Sequence, residues 1–254
     1  MSAATRVDTR TTDYQAAEAE LYRQFNEFGR IAPEREVCEN LALFITPQHF
    51  RRMMFFCEMY KLILDKPGSI LQFGVRWGRE LALFENLRTL YEPFNHSRRI
   101  VGFDTFTGYA GVSAQDGGGR QLVPGNLSVA DGYEAYLQAL LRNREAFSPV
   151  PNAQKFALVA GDVMQTLEPY LDAHPHELVS MLHLDLNLYQ PTRYVLDKIW
   201  ERVFRGTLVI IDEINCPAIP GETIALREFL DLKGVALRRL PGSSPTWPAY
   251  FVIE

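Results

Sequence analysis

Short apolar runs separated by helical stretches set the strongest constraint on this chain. "SILQFGV", "RRIVGFDTF", "KFALVAGD", "LVSMLHLDLNL" and "GTLVIIDEI" are almost continuously aliphatic, not alternating with polar residues. Between and after them come "GRELALFENLRTLY", "VMQTLEPYLDA", "TRYVLDKIWERVF" and "ETIALREFLDLKG", which have helical spacing. Strands that are apolar on both sides need cover on both faces. That indicates an α/β fold with a mostly parallel sheet and helices on each side. "VALRRLP" and "AYFVIE" supply two closing strands, for an expected total of seven.

The segment before the first strand has a different texture. From about Asp13 to Leu64 the pattern is helical, with breaks near Gly29 to Pro33 and at Thr46-Pro47. In "FRRMMFFCEMYKLIL" the apolar residues form a stripe, and Arg51, Arg52, Glu58 and Lys61 lie elsewhere. Residues 1–13 are expected to be disordered. The division is therefore residues 1–66 as an N-terminal helical cap and 67–254 as the main domain. An insertion at about 108–151, with "DGGGR", "VPGN" and a helix near Tyr133 to Asn143, reads as a lid.

Composition narrows the partners. The net charge of −5 provides no basic field for nucleic acid or an anionic membrane. The opening is polar and mixed in charge, so no signal peptide is expected, and no apolar run approaches a membrane span. Three scattered cysteines, Cys38, Cys57 and Cys216, fit a reducing cytoplasm better than a disulfide framework. The apolar stripe of the N-terminal helices also fits a homo-oligomer interface.

Two candidate sites fall at strand ends. The first begins at "LQFGVRWGREL", where Gly74 and Gly78 allow a ligand to approach the backbone at a helix start. Gln72 and Phe73 precede that turn. Asp104, followed by Thr105 and Phe106, ends the second strand, where an acid can accept from the ribose hydroxyls of an adenosine ligand. Gly161 and Asp162 end the third, where the acid either accepts from an adenine amino group or caps the next helix. The third glycine of a dinucleotide fingerprint is missing, which disfavours an NAD-linked oxidoreductase.

The second site is "HLDLNLYQPT" with "IIDE". Asp185, Asp212 and Glu213 end neighbouring strands and converge on one edge. Acids that converge want a cation, and oxygen donors suit Mg²⁺, with Ca²⁺ or Mn²⁺ as alternatives. Otherwise they cap helices or pair with Arg193 or Arg205. His183 alternates onto the face of Asp185, as either a base or a core histidine, and Asn187 follows on the same face.

"ILQFGVRWGREL", "VGFDTFTGY", "LHLDLNLYQPTRYVLDKIWERVFRGTLVIIDEI" and "PGETIALREFL" together resemble the macrocin-type sugar O-methyltransferases, over roughly Ser69 to Leu230. The resemblance implies a Rossmann-like class I methyltransferase fold and S-adenosylmethionine as methyl donor. It places the methionine-binding loop on Gly74 to Gly78, the ribose acid on Asp104 and the adenine-side acid on Asp162. The metal acids fall on Asp185, Asp212 and Glu213, with Asp185 also the candidate base. The implied acceptor is a deoxysugar of an antibiotic pathway, a TDP-linked rhamnose methylated at its 3-hydroxyl. Gln72 stands where the family often has an acid, Asn187 where it has the second acid of "DxD", and Asp-Glu where it has Asp-Asp. Arg76, Trp77, Tyr109, Arg120, Asn187 and Tyr189 are the candidate sugar or diphosphate contacts. The competing readings are a phenolic aglycone as acceptor and a non-transferring partner module on the same fold.

Overall fold

The computed structural model describes residues 11–240 and 248–254. The first ten positions of the tail expected to be disordered lie outside the described residues. Thr12 and Asp13 belong instead to the first helix, α1 (Thr12–Ile31), which Thr11 caps by accepting from the Tyr14 amide. α2 (Glu34–Glu39) and a short 3-10 turn follow, and then α3 (Pro47–Lys61). The break expected near Gly29 to Pro33 narrows to Ala32-Pro33, because α1 continues through Ile31, and the break at Thr46-Pro47 falls at the start of α3. Thr46 caps α3 through the His49 amide, and Pro47 occupies the first turn, where no N–H is needed.

The sheet comprises β1 (Ser69–Phe73), β2 (Ile100–Asp104), β3 (Phe156–Ala160), β4 (Val179–Leu184), β5 (Val203–Ile211) and β6 (Ala249–Val252), in the order β3-β2-β1-β4-β5-β6. All pairings are parallel except that of β5 with β6. Six strands are therefore formed among the described residues, not the expected seven. "VALRRLP" contributes one isolated bridge, Arg238 to Tyr250, on the outer edge of β6. Only that residue pairs, so the position of a seventh strand is marked but not filled.

Helices α4 (Arg79–Tyr91), α5 (Tyr133–Arg144), α6 (Val163–Ala173), α7 (Tyr189–Ile199) and α8 (Gly221–Phe229) complete the chain. Two apolar clusters lie on opposite faces of the sheet. One joins Leu71, Phe73, Leu182, Val209 and Val195 with α6 and α7. The other joins Ile70, Met181 and Ile210 with Phe55, Phe56 and Met59 of α3 and with α4 and α5. Each large side chain buried this way contributes roughly 1.5–3 kcal/mol. α3 is thus part of the core, whereas α1 has no buried residue. The expected helix of the insertion is α5, anchored by fully buried Leu137 and Leu141.

The strand order reverses at β1, so a crevice opens between the carboxyl ends of β1 and β4. The residue after each central strand continues the ladder into that crevice. The Gly74 amide donates to Phe103 O, Asp185 to Phe73 O, Asp212 to Leu184 O and Gly161 to Asp104 O, at 2.8–2.9 Å. Gly74 has φ +91°, and a Cβ there would lie 2.0 Å from Asp185 O, so no other residue fits.

At the opposite end, Arg98 is buried and donates to Glu92, to Ser180 Oγ and to the carbonyls of Ile63, Lys66 and Gly68. It fastens the turn after α3 to β2 and β4. Replacing Arg98 with Met leaves Glu92 with only the neutral donors of Tyr60 and Asn95 and takes a donor from all three carbonyls. The expected loss is about 3–5 kcal/mol in urea denaturation, and a loss below about 1 kcal/mol would contradict the assignment.

Candidate active site

One cavity of about 720 Å³ occupies the crevice. Its floor is the strand ends, its roof is the insertion (Tyr109, Gln121, Leu127), and a side wall comes from α1 and α3 (Glu18, Tyr22, His49, Arg52). It has two lobes.

The first lobe contains Gly74, Asp104, Thr105, Gly161, Asp162 and Met164. Asp104 accepts from Val75 N at 2.6 Å, Arg76 N at 2.7 Å and Phe106 N at 2.6 Å. Three of a carboxylate's roughly four acceptor sites are therefore used to shape the loop. Asp104 is first a brace, with room for about one further donor. Arg76 and Phe106 hold φ values of 51° and 57°, the left-handed backbone that lets their amides converge on this acid. Asp162 caps α6 through the Met164 amide at 2.9 Å, the second of its two expected roles, while lining the cavity. Thr105 donates to Gly108 O.

Several expected contacts lie outside the cavity lining. Gln72 is fully buried, and its Nε2 donates to Gly74 O at 2.8 Å, so it supports the loop from beneath. Phe73 stacks on Phe103 in the core, with ring centroids 4.7 Å apart. Gly78 sits at the start of α4 against Leu137. Arg120 is exposed, away from the lining. Tyr189 turns outward and donates to Glu228, because the first turn of α7 points its side chain along the surface. Arg76, Trp77, Tyr109 and Asn187 do line the cavity. The Trp77 ring meets Tyr133 edge-on, with centroids 4.6 Å apart. Asn187 Nδ2 donates to Tyr109 Oη at 2.9 Å, which ties the insertion to the strand-end loop.

The second lobe is acidic. Asp185, Asp212 and Glu213 all line it. His183 is fully buried and outside the lining. Its Nε2 is 3.6 Å from Asp212 Oδ1, and its ring packs against Phe56. It stands behind Asp212 and not beside an acceptor. Ligand atoms of His183, Asp185 and Asp212 lie within 4.8 Å of one another, a donor set that fits a divalent ion. Glu213, the third acid expected from sequence, lines the cavity but is not part of this close group.

The chain also supplies a cation of its own. Arg52, from α3, donates through Nε to Glu80 at 2.6 Å, through one terminal nitrogen to both oxygens of Asp212 at 2.8 and 2.9 Å, and through the other to Asp185 at 3.0 Å. Burial acts to raise Asp212, but Arg52 and His183 outweigh it and hold the carboxyl below the usual range. Burial and then the Asp212 charge push Asp185 well above that range, against the pull of Arg52. The pair therefore splits into one firmly ionised acid and one with raised proton affinity.

Glu222, at the start of α8, is fully buried. It accepts from the amides of Leu186, Asn187 and Glu213, and so fixes the loops after β4 and β5 together. Asp116, from the insertion, accepts from Tyr189 N and caps α7 from outside the helix. Arg52, Glu80, Glu222 and Asp116 were not anticipated from sequence. An acid in a helix's first turn normally reads as a favourable dipole contact, and only burial distinguishes Glu222 and Glu80. The nearest signal for Arg52 was the unmet need of three acids for a positive charge.

A mostly parallel sheet reversing at β1, with a crevice there and acids on the adjoining strand ends, is the Rossmann-like arrangement of class I methyltransferases. The solved structures agree. The crystal structure of CalS11, described as a calicheamicin methyltransferase, superposes with a TM-score of 0.92 at 35% identity over 99% of each chain. The apo structure of CalS11, described as a TDP-rhamnose 3'-O-methyltransferase of calicheamicin biosynthesis, gives 0.84 at 34% over 96% of each. The O-methyltransferase NovP gives 0.61 at 18% over 80% of this chain and 79% of its own, a likeness of fold. No protein-family model matches the chain, and no curated protein sequence does. This chain belongs to the class I O-methyltransferase family that includes CalS11, and it is an O-methyltransferase. That sets aside the oxidoreductase and non-transferring readings.

Glu213 provides a stability test. Burial first, then Asp212 and Asp185, pushes its carboxyl from 4.5 up to about 8. Between those values the folded chain keeps a proton that the unfolded chain has lost, so stability falls as pH rises through this window. Each unit is worth about 1.4 kcal/mol. Glu213→Gln is expected to flatten the decline in unfolding free energy from pH 5 to pH 8, and an unchanged slope would count against the shift.

Proposed function

We propose that this chain transfers a methyl group from S-adenosylmethionine to a hydroxyl of a deoxysugar, with the 3-hydroxyl of a TDP-linked rhamnose as its acceptor. The observation that carries this reading is the near-full-length likeness to CalS11 at 35% identity. The geometry supports it independently. A single cavity joins the loop after β1 to the acidic edge, so donor and acceptor can lie in contact.

The fit to the donor rests on the first lobe. The Gly74–Asp104 loop would hold the methionine and ribose portion, and Gly161 and Asp162 the adenine side. S-adenosylmethionine supplies an electrophilic methyl on a sulfonium. Methyl transfer from such a centre needs in-line alignment above all, and holding two reactants in place accounts for a large part of the rate.

The acceptor hydroxyl must also lose a proton. Asp185 is the proton acceptor in this reading. It lies on the cavity wall beside Asn187, at the edge where the acceptor would bind. Asp185 and Asp212, with His183 behind them and Glu213 alongside, would hold a divalent ion, which orients vicinal hydroxyls and acidifies them. Tyr109 and Asn187 would orient the sugar, and Arg76 and Trp77 would meet the diphosphate and base.

The N-terminal helices and the insertion would enclose the acceptor, since each contributes cavity wall. Exposed Tyr22, Ile31 and Leu43 on the N-terminal segment support its self-association.

Two measurements check this reading. S-adenosylhomocysteine is expected to raise the melting temperature, and transfer of labelled methyl to TDP-rhamnose to exceed transfer to catechols. Methylation of a phenol with no sugar product would overturn the acceptor assignment. Asp185→Asn is expected to lower kcat by ~10²–10⁴-fold while leaving the S-adenosylhomocysteine shift intact. Retained turnover would remove Asp185 as the base.

A further inference from the structure

Arg52 lies against the two carboxylates of the candidate metal group. Its guanidinium uses one nitrogen on both oxygens of Asp212 and another on Asp185 Oδ2. Those are the carboxylates of the His183–Asp185–Asp212 donor set. A divalent ion binds such oxygens at about 2.0–2.6 Å. Two guanidinium nitrogens lie within 3.0 Å of both Asp212 oxygens and of Asp185 Oδ2, and so crowd that space.

Two cations cannot share the position. Arg52 has a side chain only 15% exposed, so their repulsion would be poorly screened. Nor can the acids stand without a cation. Asp212 is 9% exposed, and leaving it ionised and uncompensated is strongly unfavourable.

We propose that Arg52 and a divalent ion are alternative occupants of the Asp185–Asp212 pair. This rests on the metal part of the proposed function. The arginine keeps the pair charge-compensated until an ion arrives and weakens ion binding by the work needed to displace it. Glu80 makes the exchange feasible. It pairs with Arg79 as well as with Arg52, so it keeps a partner when Arg52 leaves. Because Arg52 belongs to α3, the N-terminal segment takes a direct part in setting ion affinity.

Mn²⁺ is the probe, with bound and free ion distinguished by electron paramagnetic resonance on the full chain without acceptor. Arg52→Gln is expected to bind Mn²⁺ at least about tenfold more tightly than wild type, because affinity follows the net charge of the ligand set. Arg52→Lys keeps the charge but cannot span three carboxylates, so its affinity is expected to fall between. It also carries the test if Arg52→Gln does not fold. Adding Asp212→Asn to either variant is expected to cancel the gain, and a gain that survives would overturn the proposal. Equal Mn²⁺ affinity in wild type and the Arg52 variants, abolished by Asp212→Asn, overturns the competition and leaves the metal reading standing. Failure of all these proteins to bind Mn²⁺ overturns the metal reading and this inference with it.

Discussion

Carboxylates from α4, β4 and β5 meet at one guanidinium, and the active edge of this methyltransferase is organised around that contact. Glu80, Asp185 and Asp212 come from segments far apart in the chain. Left to themselves they would repel and push each other's proton affinities up. Arg52 lets Asp212 stay ionised in a buried position, and its hold on Asp185 aims that side chain into the cavity. Because α3 is packed into the core through Phe55, Phe56, Met59 and Tyr60, the guanidinium arrives on a rigid support.

Around this contact, backbone hydrogen bonds do the positioning. Asp185 and Asp212 each follow a strand directly, with their amides in the ladder of the neighbouring strand. Glu222 gathers three amides from the two loops that carry the acids. Asp104 does the same for the loop after β1. Both are acids serving as acceptors for backbone N–H, a use that rigidifies turns which would otherwise bury unpaired donors. Asp116 extends the scheme to the insertion, which it fastens to the start of α7.

How much of this was legible in the chain differs from residue to residue. The parallel sheet and its helices follow from aliphatic runs and helical spacing, and the strand-end acids announce themselves by interrupting those runs. The break expected at Thr46-Pro47 falls at the start of α3, because capping is local. "VALRRLP" misled, since an apolar alternation does not reveal whether a neighbour is available to pair with it. Of the two expectations for His183, base or core histidine, the structure has the core one, with its ring against Phe56. Tyr189 follows the strand-end acids in sequence yet turns away, because the first turn of α7 decides its direction. Arg52 was read only as part of the polar side of a helix. Its partners are 133 and 160 residues away, a separation with no spacing rule.

The sequence by itself determined the α/β class, the edge where chemistry occurs and the residue types available there, and through four motifs the methyltransferase family. Periodicity and capping are properties of neighbours in the chain, so they can be read along it. Only the tertiary structure decided which acids share a cation, that the cation in place is an arginine from α3, and that Asp104 and Glu222 spend their oxygens on backbone amides. Those are contacts between segments, fixed by sheet order and by the burial that makes each unpaired charge costly.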